Sequence, residues 1–455
     1  MNKLLGLDFK QKDDRNALYL VLEMGWASIL ASAAMFNSAF AVRLGATNTQ
    51  VGLLTSIPAL MAVLVSIPSG RFLQTRRQAK PWILSALTFY RSGFLVVALL
   101  PWLRLTNLPL GTQVIFVLVI FTLPAHFFNV GFIPMLAEVT PEGRRAAVFS
   151  ARNIVYNASL TVTVFLFGQW LSWARFPFNY QVMYIFGFLT SLMSVYNLIR
   201  VKVPDRLVTP PQPRQSRSVG ERIRLARQAI AGHPGIFRIT TNTFMHGMGV
   251  WAASALYVLY FVRVLGASDA WIGLQGTVAS ACTIVGYAFW RAIIGRVGES
   301  KVLRLTIVCI GLYPLLSGLL PSLTAILFVS GLNALIAPGV NLAHFNTLLK
   351  VTPPQSRPAY TAMYMAFVNT GAFIFPLVGV WVADRIGLAP TLMACGIFSI
   401  LGSTSFWWRP VLGHATRANP VADRQEYDGS TAGSAAAIPD PVEPAVDPRP
   451  DPTNR

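Results

Sequence analysis

Runs of about twenty apolar residues, each ended by a short polar stretch, recur along the first 408 positions of the chain. Each is long enough to cross a hydrocarbon layer of roughly 30 Å as a helix rising about 1.5 Å per residue. Twelve such helices are predicted, over 17–42, 51–70, 82–103, 112–137, 147–173, 181–200, 236–262, 270–290, 302–320, 324–349, 358–383 and 390–408. The even number returns both chain ends to one side of the membrane.

Two stretches break the pattern. Residues 201–235 carry Pro204, Pro210, Pro211 and Pro213, then SVGERIRLARQAIAG, in which Val219, Ile223, Ala226 and Ile230 share a helical face beside Arg222, Arg224 and Arg227. Such a segment is either a helix lying on an anionic leaflet or a solvated basic linker. From 409 to 455 the chain turns to Pro, Ala and Asp and has too few large apolar residues to bury a core, so a disordered tail is expected. The organisation read from this is a six-helix bundle over 1–200, a linker over 201–235, a second bundle over 236–408 and the tail.

Composition agrees with a lipid-facing surface. Hydrophobic residues make up 54% of the 455 positions and charged ones 12%, about half the charged share usual in a soluble domain. Basic residues fall in the N-terminus and in alternate loops, Lys3, Arg15, Arg71, Arg77, Arg145, Arg224, Arg296 and Arg357 among them. Arg43, Arg104, Arg175, Arg263 and Arg385 supply the intervening loops. Loops this lopsided predict a multi-pass protein of the cytoplasmic membrane with its basic loops and both termini in the cytoplasm. The net charge of +19 then reflects topology, and no nucleic-acid partner is expected. The first apolar run outlasts a signal-peptide core and reaches no small-residue cleavage site, so it should remain as the first helix. Cys282, Cys309 and Cys395 fall inside predicted helices without CxxC or Cys/His spacing, which supports neither a disulfide framework nor a metal site. No Walker sequence and no Gly-x-Ser-x-Gly elbow occurs, so neither an ATP-driven pump nor a hydrolase is expected, nor any cofactor.

The chain repeats itself. FAVRLGATNTQVGLL at 40–54 returns as FVRVLGASDAWIGLQ at 261–275, matching Gly45/Gly266, Ala46/Ala267, Thr47/Ser268, Asn48/Asp269 and Gly52/Gly273. LAEVTPEGRRA at 136–146 returns as LLKVTPPQSRP at 348–358, matching Pro141/Pro353 and Arg145/Arg357. Two matches in the same order and at the same rank within each half imply six helices duplicated in parallel.

Two parallel six-helix repeats joined by a long basic loop resemble the major facilitator superfamily, over residues 15–408. The Pro-x-x-x-Arg pattern that the family often carries after its fourth helix fits at Pro141…Arg145 and Pro353…Arg357. The family's Gly-x-x-x-Asp-Arg signature after helix two is degraded. In Gly70-Arg71-Phe72-Leu73-Gln74-Thr75-Arg76-Arg77 a Gln replaces the Asp, and the second copy, around Arg296, has Gly295 in its place. The resemblance implies an all-α membrane fold of two pseudo-symmetric six-helix bundles. It also implies that Gly70, Arg71, Arg76, Arg77, Pro141, Arg145, Arg296 and Arg357 lie in the cytoplasmic gate loops.

Ionisable groups inside such helices are costly and so are candidate sites. Glu23 lies about six residues, or roughly 9 Å, from the basic end of the first helix, and Arg152 lies at similar depth in the fifth. A Glu23–Arg152 pair is expected, either neutralising two costs or acting as a proton or substrate switch. Arg91, in the third helix, is expected to snorkel or pair within its bundle. His126, His246 and His344 fall in helices that line the central cavity in the family, and each is either a packing residue or a titrating one. Asn129 and Asn341 correspond across the repeat, as do Asn157 and Asn369; Asn242 and Trp251 add to the seventh helix.

The function expected is secondary transport of a small organic solute by alternating access. The solute would be neutral, weakly anionic or amphiphilic, protons are a candidate coupling ion, and the transporter would be a monomer. A lipid or amphiphile flippase on the same fold and a non-transporting sensor or scaffold are the rival readings. Accessibility labelling of cysteines placed at Arg77 and Arg263 is expected to report opposite membrane faces; labelling from one shared face would overturn the topology.

Overall fold

Inside a bilayer the backbone finds no water to bond, so an apolar run that crosses it must close its own hydrogen bonds as a helix. The computed structural model describes residues 12–103, 107–140, 142–204, 233–352 and 357–411. Among these, twelve helices are long and apolar enough to cross a membrane. In the first half they are α1 (Arg15–Arg43), α2 (Asn48–Gln74), α3 (Lys80–Leu103), α4 (Leu110–Val139), α5 (Val148–Trp173) and α6 (Phe178–Arg200). In the second they are α7 (Pro234–Val264), α8 (Asp269–Val297), α9 (Glu299–Leu319), α10 (Leu323–Val351), α11 (Tyr360–Ile386) and α12 (Leu388–Trp408). Every predicted run has its helix. Most of the linker and nearly all of the tail, at 205–232 and 412–455, lie outside the described residues.

The duplication read from two loop motifs governs the packing of all twelve helices. In the first half α1 packs on α5 and α6, α3 on α4 and α6, and α2 on α4. In the second half α7 packs on α11 and α12, α9 on α10 and α12, and α8 on α10, which is the same graph. The halves meet through α5 against α8 and α2 against α11, again an equivalent pair.

The end of the molecule that carries Arg43 and Arg263 is called the clasp end here, and the one that carries the linker and the basic loops the linker end. The meeting contacts cluster at the clasp end. Ala41, Val42, Ala46, Val51 and Ile115 share one buried core with Leu256, Leu259, Tyr260, Phe261 and Val380. The tips of α1 and α7 are set off from their shafts by breaks at closely corresponding places. The α1 shaft ends at Ala34 and its tip runs Asn37–Arg43; the α7 shaft ends at Ala253 and resumes at Leu256, finishing in a π-turn over Tyr260–Val264. Thr47 and Ser268, matched in the repeat, cap the following helices by accepting from the Gln50 and Trp271 amides. Gly45 and Gly266, with φ of +83° and +66°, make the turns between, in a region that a Cβ disfavours.

Where α5 crosses α8, glycine faces glycine. A Cβ on Gly168 would fall 2.8 Å from the Cα of Gly273. At the α2–α11 crossing Gly52, the repeat partner of Gly273, meets Val380 and Leu377 instead. Helices in lipid associate by such close backbone approach. A Gly168→Val change is therefore expected to wedge α5 from α8, opening the clasp end and lowering the thermal midpoint in detergent; an unaltered midpoint and labelling pattern would show that the crossing is not a tight contact.

Candidate functional site

A carboxylate in a greasy bundle has to find its partners among the neighbouring helices, and Glu23 finds three. It is 3% exposed on α1 and accepts from Arg152 Nη2 of α5 at 3.1 Å and from Ser194 Oγ of α6 at 2.9 Å. Arg91 of α3 lies 3.9 Å from its other oxygen and donates to the Ser194 hydroxyl at 2.8 Å and to the Ser191 carbonyl. The Glu23–Arg152 pair is thus present and Arg91 pairs within the bundle, but all belong to one cluster. The Phe132 ring of α4 covers the Arg152 guanidinium at 4.9 Å.

The second half holds a neutral counterpart. The spacing that carries Asn129 to Asn341 also carries Phe132 to His344, and the spacing that carries Asn157 to Asn369 carries Arg152 to Tyr364. Allowing one residue for the π-turn in α7, Glu23 corresponds to Thr243. These three partners converge: His344 Nε2 is 2.7 Å from Thr243 Oγ1 and 3.4 Å from the Tyr364 hydroxyl. Each half therefore has a polar node that draws on its first, fourth and fifth helices, and in the first half α3 and α6 join it through Arg91 and Ser194. Thr243, Tyr364 and Phe132 were not singled out from the sequence, although the repeat spacing applied to Arg152 and His344 points to two of them.

The remaining candidates divide by what they touch. Asn129 and Asn341 are exposed, as is Asn153 beside Arg152. Amides facing lipid would be costly, so these three mark water-facing surface on α4, α10 and α5. His126 lies against the Pro58 carbonyl of α2. Trp251 stacks at 6.4 Å on Phe375 and edge-on to Phe244 at 5.9 Å, with Gly247 and Gly371 leaving room for its indole. His246 and Asn242 turn instead into the α7–α12 seam. His246 Nδ1 meets Ser403 Oγ at 2.8 Å and Ser399 Oγ at 3.0 Å. Asn242, fully buried, donates to the Ser405 and Arg409 carbonyls at the end of α12. Both serve packing in this arrangement.

The repeated loop motifs form a reciprocal clasp between the halves. Arg43 donates to the Ala267 carbonyl and to Asp269, both at 3.0 Å; Arg263 donates to the Ala46 carbonyl and to Asn48. Ala46/Ala267 and Asn48/Asp269 are repeat partners, so each arginine grips in one half what the other grips in the opposite half. Tyr180 donates to Asp269 at 2.7 Å, and Asn48 donates to Asp384 at 2.6 Å. A recess of about 500 Å³ opens beside the clasp, lined in part by Arg43, Arg263 and Asp269.

At the linker end Arg145 and Arg76 make contacts within their own half. Arg145 reaches back to the Ala137 and Thr140 carbonyls, at 2.8 and 3.2 Å, and so closes the end of α4. Arg76 lies over the rings of Phe72 and Trp82. Gly70 sits beside Val130, and Arg71 and Arg296 are exposed. Pro141 and the side chain of Arg357 lie outside the described residues. Among the described residues no group of three or more His, Cys, Asp or Glu side chains is placed to hold a metal ion.

The duplicated chain matches a known family. The model described as Major Facilitator Superfamily fits residues 18–241 and again residues 239–444. The chain belongs to the Major Facilitator Superfamily. A curated relative, the multidrug resistance protein MdtG of Yersinia enterocolitica, is 22% identical over 201 residues, which is 41% of this chain and 48% of that protein. The match thus spans about half the length of that relative. Among solved structures, the nucleoside transporter NupG superposes with a TM-score of 0.64 at 13% identity, covering 86% of this chain and 99% of that one. A POT family transporter in complex with a thioalcohol-conjugated peptide superposes at 0.65 and 12% identity, covering 87% and 96%. At such identities these two structures show a shared fold.

Removing the carboxylate leaves two buried guanidiniums facing each other. Glu23→Gln is expected to cost about 3–5 kcal/mol, with the double change Glu23→Gln/Arg91→Gln recovering part of it. Denaturation midpoints of the purified protein check this, and an unaffected Glu23→Gln protein would dismiss the cluster as a structural element.

Proposed function

We propose that this chain is a secondary transporter that moves a small organic solute across the cytoplasmic membrane, by rocking its two half-bundles about a central site between the polar nodes. The observation that carries the reading is the clasp. Its contacts join the halves reciprocally at the clasp end, the arrangement expected of a gate that opens when the halves tilt. With the basic loops in the cytoplasm, the clasp closes the outer end in the described state. The exposed amides on α4, α5 and α10 support a watered cavity reached from the linker end. The protein acts as a monomer in this reading, since the cavity and both gates lie within one chain.

Proton coupling is assigned to His344. Its Nε2 faces two hydroxyls that can donate or accept, so the ring can gain a proton and keep its hydrogen bonds. Glu23 anchors two arginines and has no such freedom.

The test uses Val164→Cys, a fully buried position on α5 against Gly276, in a chain with Cys282, Cys309 and Cys395 replaced by Ser. Labelling from the clasp side should be slow in the parent chain. Arg43→Asp should speed it by weakening the closed end by about 1–2 kcal/mol, and the swap Arg43→Asp/Asp269→Arg should slow it again. Labelling indifferent to Arg43→Asp would refute the gate. In the same assay His344→Gln should remove any dependence on pH that the parent chain shows; an equilibrium that is pH-independent in the parent chain would remove the proton assignment.

A further inference from the structure

The charges of the first half do not balance. One carboxylate, Glu23, serves two guanidiniums, at 3.1 Å from Arg152 and 3.9 Å from Arg91, so the cluster holds one positive charge too many. The excess sits unevenly. Arg91 uses Nη1 on the Ser191 carbonyl and Nη2 on the Ser194 hydroxyl. Arg152 uses only Nη2, on Glu23. Its Nε and Nη1 are buried without a hydrogen-bond partner, although the residue is only 1% exposed.

A structural ion pair needs one arginine. A second buried cation with two idle donors lowers stability, because charge and donors alike have left water without replacement. Such an arrangement makes chemical sense where an anion arrives from outside to complete it. The surroundings fit an anion with an apolar body. Phe132, only partly buried, covers the guanidinium and stacks on Phe128 at 4.8 Å, giving an aromatic wall beside the free nitrogens. Asn153, next on α5, is exposed, so water-facing surface begins one residue from Arg152. The equivalent node in the second half, Thr243–His344–Tyr364, contains no fixed charge.

We propose that Arg152 is the anion-binding residue of this transporter: a carboxylate or phosphate carried on an apolar body passes Phe132 and takes the free Nε and Nη1 donors. The bound anion and Glu23 then neutralise Arg91 and Arg152, so the cluster is balanced only when loaded. The inference rests on the transport reading and adds to it the charge of the substrate and the residue that meets it.

The test is thermal unfolding of the full chain in a neutral detergent with benzoate or phenyl phosphate, against benzyl alcohol and benzylamine at equal concentration. At least one anion should raise the midpoint in a saturable way, and the neutral and cationic analogues should not. Arg152→Gln should fold with an unliganded midpoint no lower than the parent chain's and should bind the anion more weakly by about tenfold or more. Arg152→Lys keeps the pair with Glu23 and loses the two free donors, so it should lose anion binding comparably even if Arg152→Gln does not fold. Phosphatidylglycerol that displaces benzoate assigns the subsite to a lipid headgroup, and a benzoate effect untouched by it assigns the subsite to a soluble anion. No anion effect in the parent chain, an equal effect of benzyl alcohol, or a full anion effect in Arg152→Lys overturns the proposal. Loss of the proposal in this way leaves the gate test standing, whereas labelling indifferent to Arg43→Asp removes the transport reading whatever benzoate does.

Discussion

A helix in hydrocarbon gains nothing by exchanging lipid for another apolar helix, so what holds two half-bundles together must be close backbone approach and polar bonding. This protein uses both, and concentrates them at one end. Gly168 against Gly273 brings α5 and α8 into backbone contact, and the tips of α1 and α7 meet in a shared apolar core. Above them Arg43 and Arg263 bind carbonyls and side chains of the opposite half. Polar contacts of this kind are individually modest and reversible, which suits the gate proposed for the clasp. A wide apolar seam along the whole length would have locked the halves.

Duplication explains how the clasp came to be reciprocal. One ancestral loop with a glycine turn, a capping hydroxyl and an amide or carboxylate side chain, once doubled, presents the same surface on both sides of a two-fold axis. Each copy then grips the other's Ala46 or Ala267 carbonyl. The two copies have diverged where specificity is needed. Asp269 replaces Asn48 and takes an ion pair with Arg43, while Asn48 turns to Asp384. The same divergence operates deeper in the bundles. Glu23, Phe132 and Arg152 occupy positions that Thr243, His344 and Tyr364 occupy in the second half, so one node is charged and the other neutral. Two equal bundles thereby acquire chemically different interiors.

The length and spacing of the apolar runs, the alternation of basic loops and the two repeated motifs were enough to determine twelve helices, their duplication and the depth at which Glu23 and Arg152 could meet. These features are legible because a bilayer imposes them on the chain locally: each run must be long enough, and each loop must lie on its side. Rotation of each helix about its axis is not imposed in this way. It decided that Asn242 and His246 face the α12 seam while Asn129 and Asn341 face open surface, though all four are polar residues in similar apolar runs. It also brought Arg91 to Glu23, joined Thr243 and Tyr364 to His344, and left two donors of Arg152 without partners. Those outcomes depend on how ridges of one helix seat in its neighbours, an interaction between residues far apart in the chain, and only the packed molecule supplies it.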